Sequence, residues 1–227
     1  MSMRYKAVVF DFDYTLGDAT DAIYAGFVHG FQVMGYPRPD REAVRHTIGL
    51  LLEDAYTKLT GDESQEGRAR FRALFSSVAR PMQAAGIPLC EGAEALLRAL
   101  GAAGIATAVV STKHTETLES IFDHYGLRDT FAFIIGGDLV SKPKPDPEGL
   151  DEAARRLGLD KGEILYCGDT TIDANAARNA GMDFCAVLNG TTPGEAFAGL
   201  PHVHIAPDLI ELRTWLGLDR SAPGCPL

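Results

Sequence analysis

The chain has 227 residues, 46% of them hydrophobic and 23% charged, with a formal net charge of −10. That is the balance of a folded α/β domain with room for a modest insertion, and too apolar for a disordered chain. The acidic sum, without any basic stripe, excludes a nucleic-acid surface, and the short, interrupted apolar runs exclude a membrane span.

The opening residues Met1 to Lys6 carry charge and lead straight into a strand-like run. They lack the apolar stretch and cleavage site of a secretion signal, so a cytoplasmic location is expected. The run Ala7–Phe10 reads as a buried strand. From Asp18 to about Ala85 only helical patterns follow. Ile23, Tyr24, Phe27, Phe31 and Met34 recur at helical spacing, with Asp21 placed to cap them. Pro37 and Pro39 break that helix, and Asp40 can start the next. Phe71, Leu74, Phe75 and Val78 mark a further stripe. An all-helical block of about 65 residues therefore interrupts the chain after its first strand. It reads as an inserted cap over residues 17–85, with residues 1–16 and 86–227 forming the α/β core.

Beyond residue 85 strands and helices alternate. Helical stretches are expected at Gly92–Ala103, Thr115–Tyr125, Pro147–Leu157 and Ile172–Ala180. Strands are expected at Ile105–Val110, Phe131–Ile135, Ile164–Cys167, Phe184–Leu188 and His202–Ile205. A last helix, Asp208–Leu216, has Asp208 as its N-cap, and the tail from Asp219 is expected to fray. Short apolar strands separated by helices imply a Rossmann-like parallel sheet covered on both faces. Cys90, Cys167, Cys185 and Cys225 form no CxxC pair and read as free thiols.

Four segments carry chemistry. Asp11-Phe12-Asp13-Tyr14-Thr15-Leu16 sets two carboxylates at a strand's carboxyl end, where open α/β sheets bind ligands. Their mutual repulsion favours a bound cation, and Mg²⁺ prefers oxygen ligands. A calcium loop of the EF-hand type is excluded, because Leu16 and Ala22 occupy its obligatory glycine and glutamate positions. Ser111 and Thr112 put hydroxyls just past another strand, with Lys113 beside them. Lys142 and Lys144 alternate with prolines that restrict the backbone. Gly168-Asp169-Thr170-Thr171-Ile172-Asp173 again places acids at a strand end opening a helix. Taken singly, each segment also reads as ordinary turn, cap or solvated lysine. Elsewhere, His202 and His204 share a face if both lie in one strand, without a third ligand nearby. The loop Thr47–Leu51 holds Gly49, suited to close approach. Lys58, the only lysine of the helical block, reads as surface.

In this order, DxDxT, a strand-terminal Ser/Thr, a KPxP lysine and GDxxxD resemble the four motifs of the haloacid-dehalogenase-like superfamily. AVVSTK, KPDPEGL and CGDTTIDANAARNAG are similar to its phosphoglycolate-phosphatase-like branch. The resemblance implies a Mg²⁺-dependent phosphatase acting on a small phosphorylated metabolite. It implies Asp11 as nucleophile, Asp13 as acid and base, and Ser111 and Lys144 as phosphoryl-binding groups. Asp11, Asp13, Asp169 and Asp173 would hold or flank the metal, Asp173 through water or as a partner of Lys144. Thr15, Thr112, Lys113 and Gly49 are candidate substrate-side residues. Lys144 is preferred over Lys142 because KPDPEGL matches the family's continuation. The family often has glycine where this chain has Tyr14. Alternatives are a sugar phosphomutase, whose expected cap arginine near Leu50–Glu53 is missing, and a pyrophosphatase or nucleotidase. A metal-free dehalogenase would leave Asp13, Asp169 and Asp173 without purpose, and a phosphonate hydrolase would need Lys58 as its amine. Oligomeric state is not legible.

Overall fold

The computed structural model describes residues 4–219. The last stretch of the tail, and Cys225 with it, lie outside them. Six parallel strands form one sheet in the order β3-β2-β1-β4-β5-β6. They are β1 Ala7–Phe10, β2 Ala106–Val110, β3 Ile134–Ile135, β4 Ile164–Gly168, β5 Asp183–Val187 and β6 His204–Ala206. The expected α/β class and parallel sheet are both present. Strand order reverses direction at β1, which pairs with β2 on one side and β4 on the other. In such sheets the crevice at that switch point is where ligands sit.

Successive strand residues point to opposite faces. Val8, Phe10, Val109, Leu165, Cys167, Cys185 and Val187 enter one buried cluster. Ala7, Val9, Ala108, Val110, Tyr166, Phe184 and Ala186 enter the other. Helices α5 Ala93–Ala102, α6 Thr115–His124 and α9 Leu209–Trp215 supply apolar residues to the first cluster, whereas α7 Glu148–Leu157 and α8 Thr171–Ala180 pack on the second.

Between β1 and α5 lie α1 Thr20–Met34, α2 Arg41–Arg45, α3 Leu52–Thr60 and α4 Gln65–Ala84. Phe27 and Phe31 of α1 meet Phe71 of α4, with ring centroids 4.9 and 5.9 Å apart, and Tyr56 of α3 stacks on Phe71 at 4.8 Å. Such pairs each add about 0.5–1.5 kcal/mol beyond burial. Gly26 and Gly30 let α4 come close, since a Cβ on either would lie 2.6 or 2.7 Å from a Phe75 or Phe71 ring. Phe27, Phe31, Tyr56 and Phe71 join the same buried cluster as Val8 and Phe10 of the sheet.

Several boundaries differ from those expected. Asp21 does not cap α1; Asp18 Oδ1 accepts from Thr20 N at 2.9 Å, while Asp21 pairs with Arg41 from the first turn. Asp40 and Asp208 do cap, accepting from Ala43 N and Glu211 N. The strand expected from Phe131 shrinks to Ile134–Ile135, because a 3₁₀ turn at Arg128–Thr130 delays the pairing with Val109 and Val110. His202 lies before β6 and turns its ring to the Leu200 carbonyl at 2.8 Å. His204 instead stacks on Trp215 at 4.6 Å and meets Glu211 at 2.7 Å, so the two imidazoles do not share a face. Cys90, Cys167 and Cys185 are free thiols. Among the described residues no helix is long and apolar enough to cross a membrane.

Candidate active site

Register brings the motif residues together. Phe10 lies opposite both Val109 and Cys167, so Asp11, Ser111 and Asp169 all emerge at the same end of the sheet. Asp11 N donates to the Cys167 carbonyl at 2.8 Å, fixing the start of the first loop. Within that loop Leu16 N and Gly17 N both donate to the Phe12 carbonyl. The tight turn puts Tyr14 at φ +55°, left-handed geometry that favours glycine. Here the phenol compensates: it is buried, its hydroxyl lies 2.6 Å from Thr20 Oγ1, and Arg45 Nε donates to it at 3.3 Å. Tyr14 thus ties this first loop to α1 and α2.

Lys144 sits at the centre of the charges, its side chain only 7% exposed. Its Nζ is 2.5 Å from Asp173 Oδ1, 3.0 Å from Asp11 Oδ1 and 3.1 Å from the Tyr166 hydroxyl. The contact with Asp11 is ionic and lacks hydrogen-bond alignment, leaving Asp11 Oδ1 without an oriented donor. Lys142, by contrast, is 71% exposed and 4.0 Å from Asp146. The structure therefore brings Lys144, and not Lys142, to the aspartates.

Asp173 is fully committed. Its Oδ1 receives Lys144 and the Tyr166 hydroxyl at 2.9 Å, and its Oδ2 receives Thr170 N at 3.1 Å and Thr170 Oγ1 at 2.5 Å. With Thr170 as N-cap this is a capping box opening α8. Burial would push the Asp173 carboxyl up, but the Lys144 ammonium, with hydrogen bonds from Thr170 and Tyr166, brings it below its ordinary value. Asp11 and Asp169 show the opposite balance. Burial, with the Asp173 and Asp13 charges and against Lys144, pushes Asp11 up to about 6. Burial first, then Asp173 and Asp11, raises Asp169 well above the carboxylate range.

One carboxylate oxygen from each of Asp11, Asp169 and Asp173 lies within 4.8 Å of the others, all three residues buried. Hard oxygen donors in that number, two of them destabilised as anions, fit a magnesium ion. Both oxygens of Asp173 are engaged by Lys144, Tyr166 and Thr170, which leaves Asp11 and Asp169 as the residues that could hold such an ion. Asp13 turns its carboxylate elsewhere, to Lys113 Nζ at 3.1 Å. Lys113 is held in turn by the buried Gln83 of α4, also at 3.1 Å.

Above this cluster a cleft of about 260 Å³ opens between the strand ends and the helical segment, lined by Asp13, Gly49, Thr112 and Lys113 among others. Gly49, at φ +100°, dips toward the site: a Cβ there would lie 3.0 Å from Thr170 Cγ2. Ser111 is buried at the end of β2. Thr15 is wholly buried within the first loop with its hydroxyl unpartnered, and it does not line the cleft. Lys58 is exposed on α3 and away from the cleft lining. Sequence reading missed Tyr166, Gln83 and the loop after β5. There Gly190 packs so tightly that a Cβ would stand 2.1 Å from Asp169 Oδ2. An asparagine–glycine pair directly after a strand was the available signal.

Residues 8–187 match the family model described as haloacid dehalogenase-like hydrolase. The chain belongs to the haloacid dehalogenase-like hydrolases. Among its relatives is the protein named "Probable phosphatase IndB" of Dickeya dadantii, 33% identical over 188 residues, or 81% of each chain. A phosphoglycolate phosphatase of Rhodobacter capsulatus is 30% identical over 218 residues, covering 92% of this chain and 98% of the relative. A solved haloacid dehalogenase-like hydrolase from Bacteroides fragilis superposes with a TM-score of 0.88 at 35% identity, covering 92% of this chain and 99% of that one. The chain is accordingly a phosphatase, a phosphoric monoester hydrolase of the phosphoglycolate-phosphatase-like kind.

Proposed function

We propose that this phosphatase is Mg²⁺-dependent and hydrolyses a small phosphate monoester, of the phosphoglycolate type, through a phosphoryl group carried on Asp11. Residues 17–85 act as a helical cap over a core formed by residues 1–16 and 86–227. The observation that carries the reading is the convergence of Asp11, Asp169, Asp173 and Lys144 in one buried cluster at the switch point of the sheet.

A magnesium ion held by Asp11 and Asp169 would supply positive charge to the phosphoryl oxygens. An Asp11 carboxylate oxygen attacks phosphorus, forming a P–O bond as the ester P–O bond breaks. Lys144 and Ser111 hold the phosphoryl oxygens on which charge gathers. Asp13 lies on the cleft side, where the alcohol departs, and gives that oxygen its proton. It then takes a proton from the water that releases phosphate and restores Asp11. Lys113 and Gln83 hold Asp13 in place from the cleft wall.

The test is phosphate release from a panel of small esters, with Mg²⁺ or with EDTA, for the native chain and Asp11→Asn. Metal-dependent turnover that vanishes in Asp11→Asn is expected. Turnover that persists in EDTA or in Asp11→Asn would overturn the mechanism.

A further inference from the structure

The cleft wall contributed by α4 is a stripe: Arg72, Ser76, Arg80 and Gln83 recur at spacings of four, four and three and all line the cavity, as does Phe75. Most of the cleft's charges cancel in pairs. Arg72 is bound to Glu53. Lys113 is bound to Asp13 and Gln83. His114, held mainly by burial below its usual range, sits 3.9 Å from Asp138, whose carboxylate is already taken by Thr115 N at 2.7 Å. Arg80 is different: among the described residues its one ionic contact is with Glu116 at 3.7 Å, and that glutamate is 85% exposed and therefore worth little. Itself 41% exposed, Arg80 is the most weakly paired of the guanidinium and ammonium groups lining the cleft.

Much of the remaining lining is apolar, with Ile48, Leu50, Leu52 and Phe75 facing the cavity beside Thr47, Thr112 and Thr117. Its volume is about 260 Å³. A water molecule takes ~30 Å³, so a two-carbon acid such as glycolate would leave most of the space and most of the apolar wall unused.

Resting on the phosphatase reading above, we infer that the preferred substrate is the phosphate monoester of a hydroxy acid larger than glycolate, with an apolar body and one terminal carboxylate, and that Arg80 is the residue that reads that carboxylate. The apolar body lies against Phe75 and the Ile48–Leu52 loop. The guanidinium is suited to the carboxylate, since its paired N–H groups match a carboxylate's two oxygens. The reaction is ordinary ester hydrolysis: the P–O bond to the acid's hydroxyl oxygen breaks, that oxygen gains a proton, and the free hydroxy acid and phosphate leave.

The experiment compares kcat/KM in Mg²⁺ for para-carboxybenzyl phosphate, its para-carboxamide counterpart, the phosphate ester of 6-hydroxyhexanoic acid, phosphoglycolate and para-nitrophenyl phosphate. The two larger acids are expected to exceed phosphoglycolate, and the carboxylate to exceed the carboxamide by about tenfold or more, the scale of one charge-assisted hydrogen bond. In Arg80→Gln the carboxylate-to-carboxamide ratio falls to near one, and in Arg80→Lys it recovers in part. Equal rates for carboxylate and carboxamide, an unchanged ratio in Arg80→Gln, or phosphoglycolate as the best ester would overturn the inference while leaving the phosphatase intact. Failure to release phosphate from any ester, para-nitrophenyl phosphate included, would overturn both.

Discussion

Lys144→Met keeps most of the side chain's volume and deletes its ammonium from the midst of the aspartates. At 2.5 Å from Asp173 and 3.0 Å from Asp11, each contact is worth about 5–7 kcal/mol at an effective dielectric of about 20. Desolvating the ammonium takes back several kcal/mol of that sum. What the substitution exposes is the cost of breaking a buried pair and leaving carboxylates uncompensated, about 3–5 kcal/mol. For a chain of this size the fall in Tm is roughly 6–20 °C. Urea unfolding at neutral pH in EDTA, with Lys142→Met beside it, measures the difference without metal binding in the way. Lys142 is 71% exposed, and its loss is expected to stay within about 0.5 kcal/mol. Phosphate release by Lys144→Met should also drop by about 10²–10³, the scale of one preorganised donor. A Lys144→Met loss under about 1 kcal/mol, or an equal loss in Lys142→Met, would refute the placement of the charge.

Asp11→Asn removes one of three crowded buried carboxylates, so in EDTA its unfolding free energy should rise by about 1–3 kcal/mol while phosphate release disappears; a fall would show that the carboxylates do not repel. Gly190→Ala forces a methyl onto Asp169 Oδ2, and turnover is expected to drop at least about 10²-fold, together with a weaker Mg²⁺ response read by titrating activity against metal. Tyr14→Phe strips the hydroxyl that meets Thr20 and Arg45, leaving a buried threonine hydroxyl without that partner, and should cost about 1–2 kcal/mol by denaturant titration. Asp62 is pulled down to about 2 by hydrogen bonds from Tyr56 and Ser64. Its contribution is present above the ordinary aspartate pKa and lost as pH falls toward 2, so the native chain and Asp62→Asn should differ in Tm at pH 6 and converge near pH 2.

The site's frame was legible because each motif follows a short apolar strand, and strand ends are fixed by the same buried residues that define the sheet. The helix after Asp169 begins one residue before its expected start, at Thr171, since its capping signal is local. What escaped notice depends on partners far along the chain. Tyr166 sits in a wholly buried strand and reads as core, yet its hydroxyl meets Asp173 and Lys144; a tyrosine amid apolar residues needs such a partner. Gln83 is one polar residue on a long helix until α4 is laid over Lys113. Asp18 and Asp21 both suit the start of α1, and only the backbone path shows which one serves it. His202 and His204 alternate like strand residues, but the strand begins between them.

The lysines also bear on the divalent ion proposed for the cluster. Four carboxylates meet at this end of the sheet, and two of them are answered internally: Asp173 by Lys144 and Asp13 by Lys113. Each lysine has a neutral anchor as well, Tyr166 for one and Gln83 for the other, which fixes it where it stands. Asp173 gains further from its place in the first turn of α8, where the helix N-terminus favours negative charge. The buried set of Asp11, Asp169, Asp173 and Lys144 is then left two negative charges in excess when its carboxyls are ionised. Burial makes that excess costly, and it shows in the raised Asp11 and Asp169. A single ion of charge two cancels it; a third lysine would leave one charge over and would lack the oxygen affinity that draws a phosphoryl group to a metal. The same excess predicts that Asp169→Asn, like Asp11→Asn, unfolds later than the native chain in EDTA and gains less from added Mg²⁺.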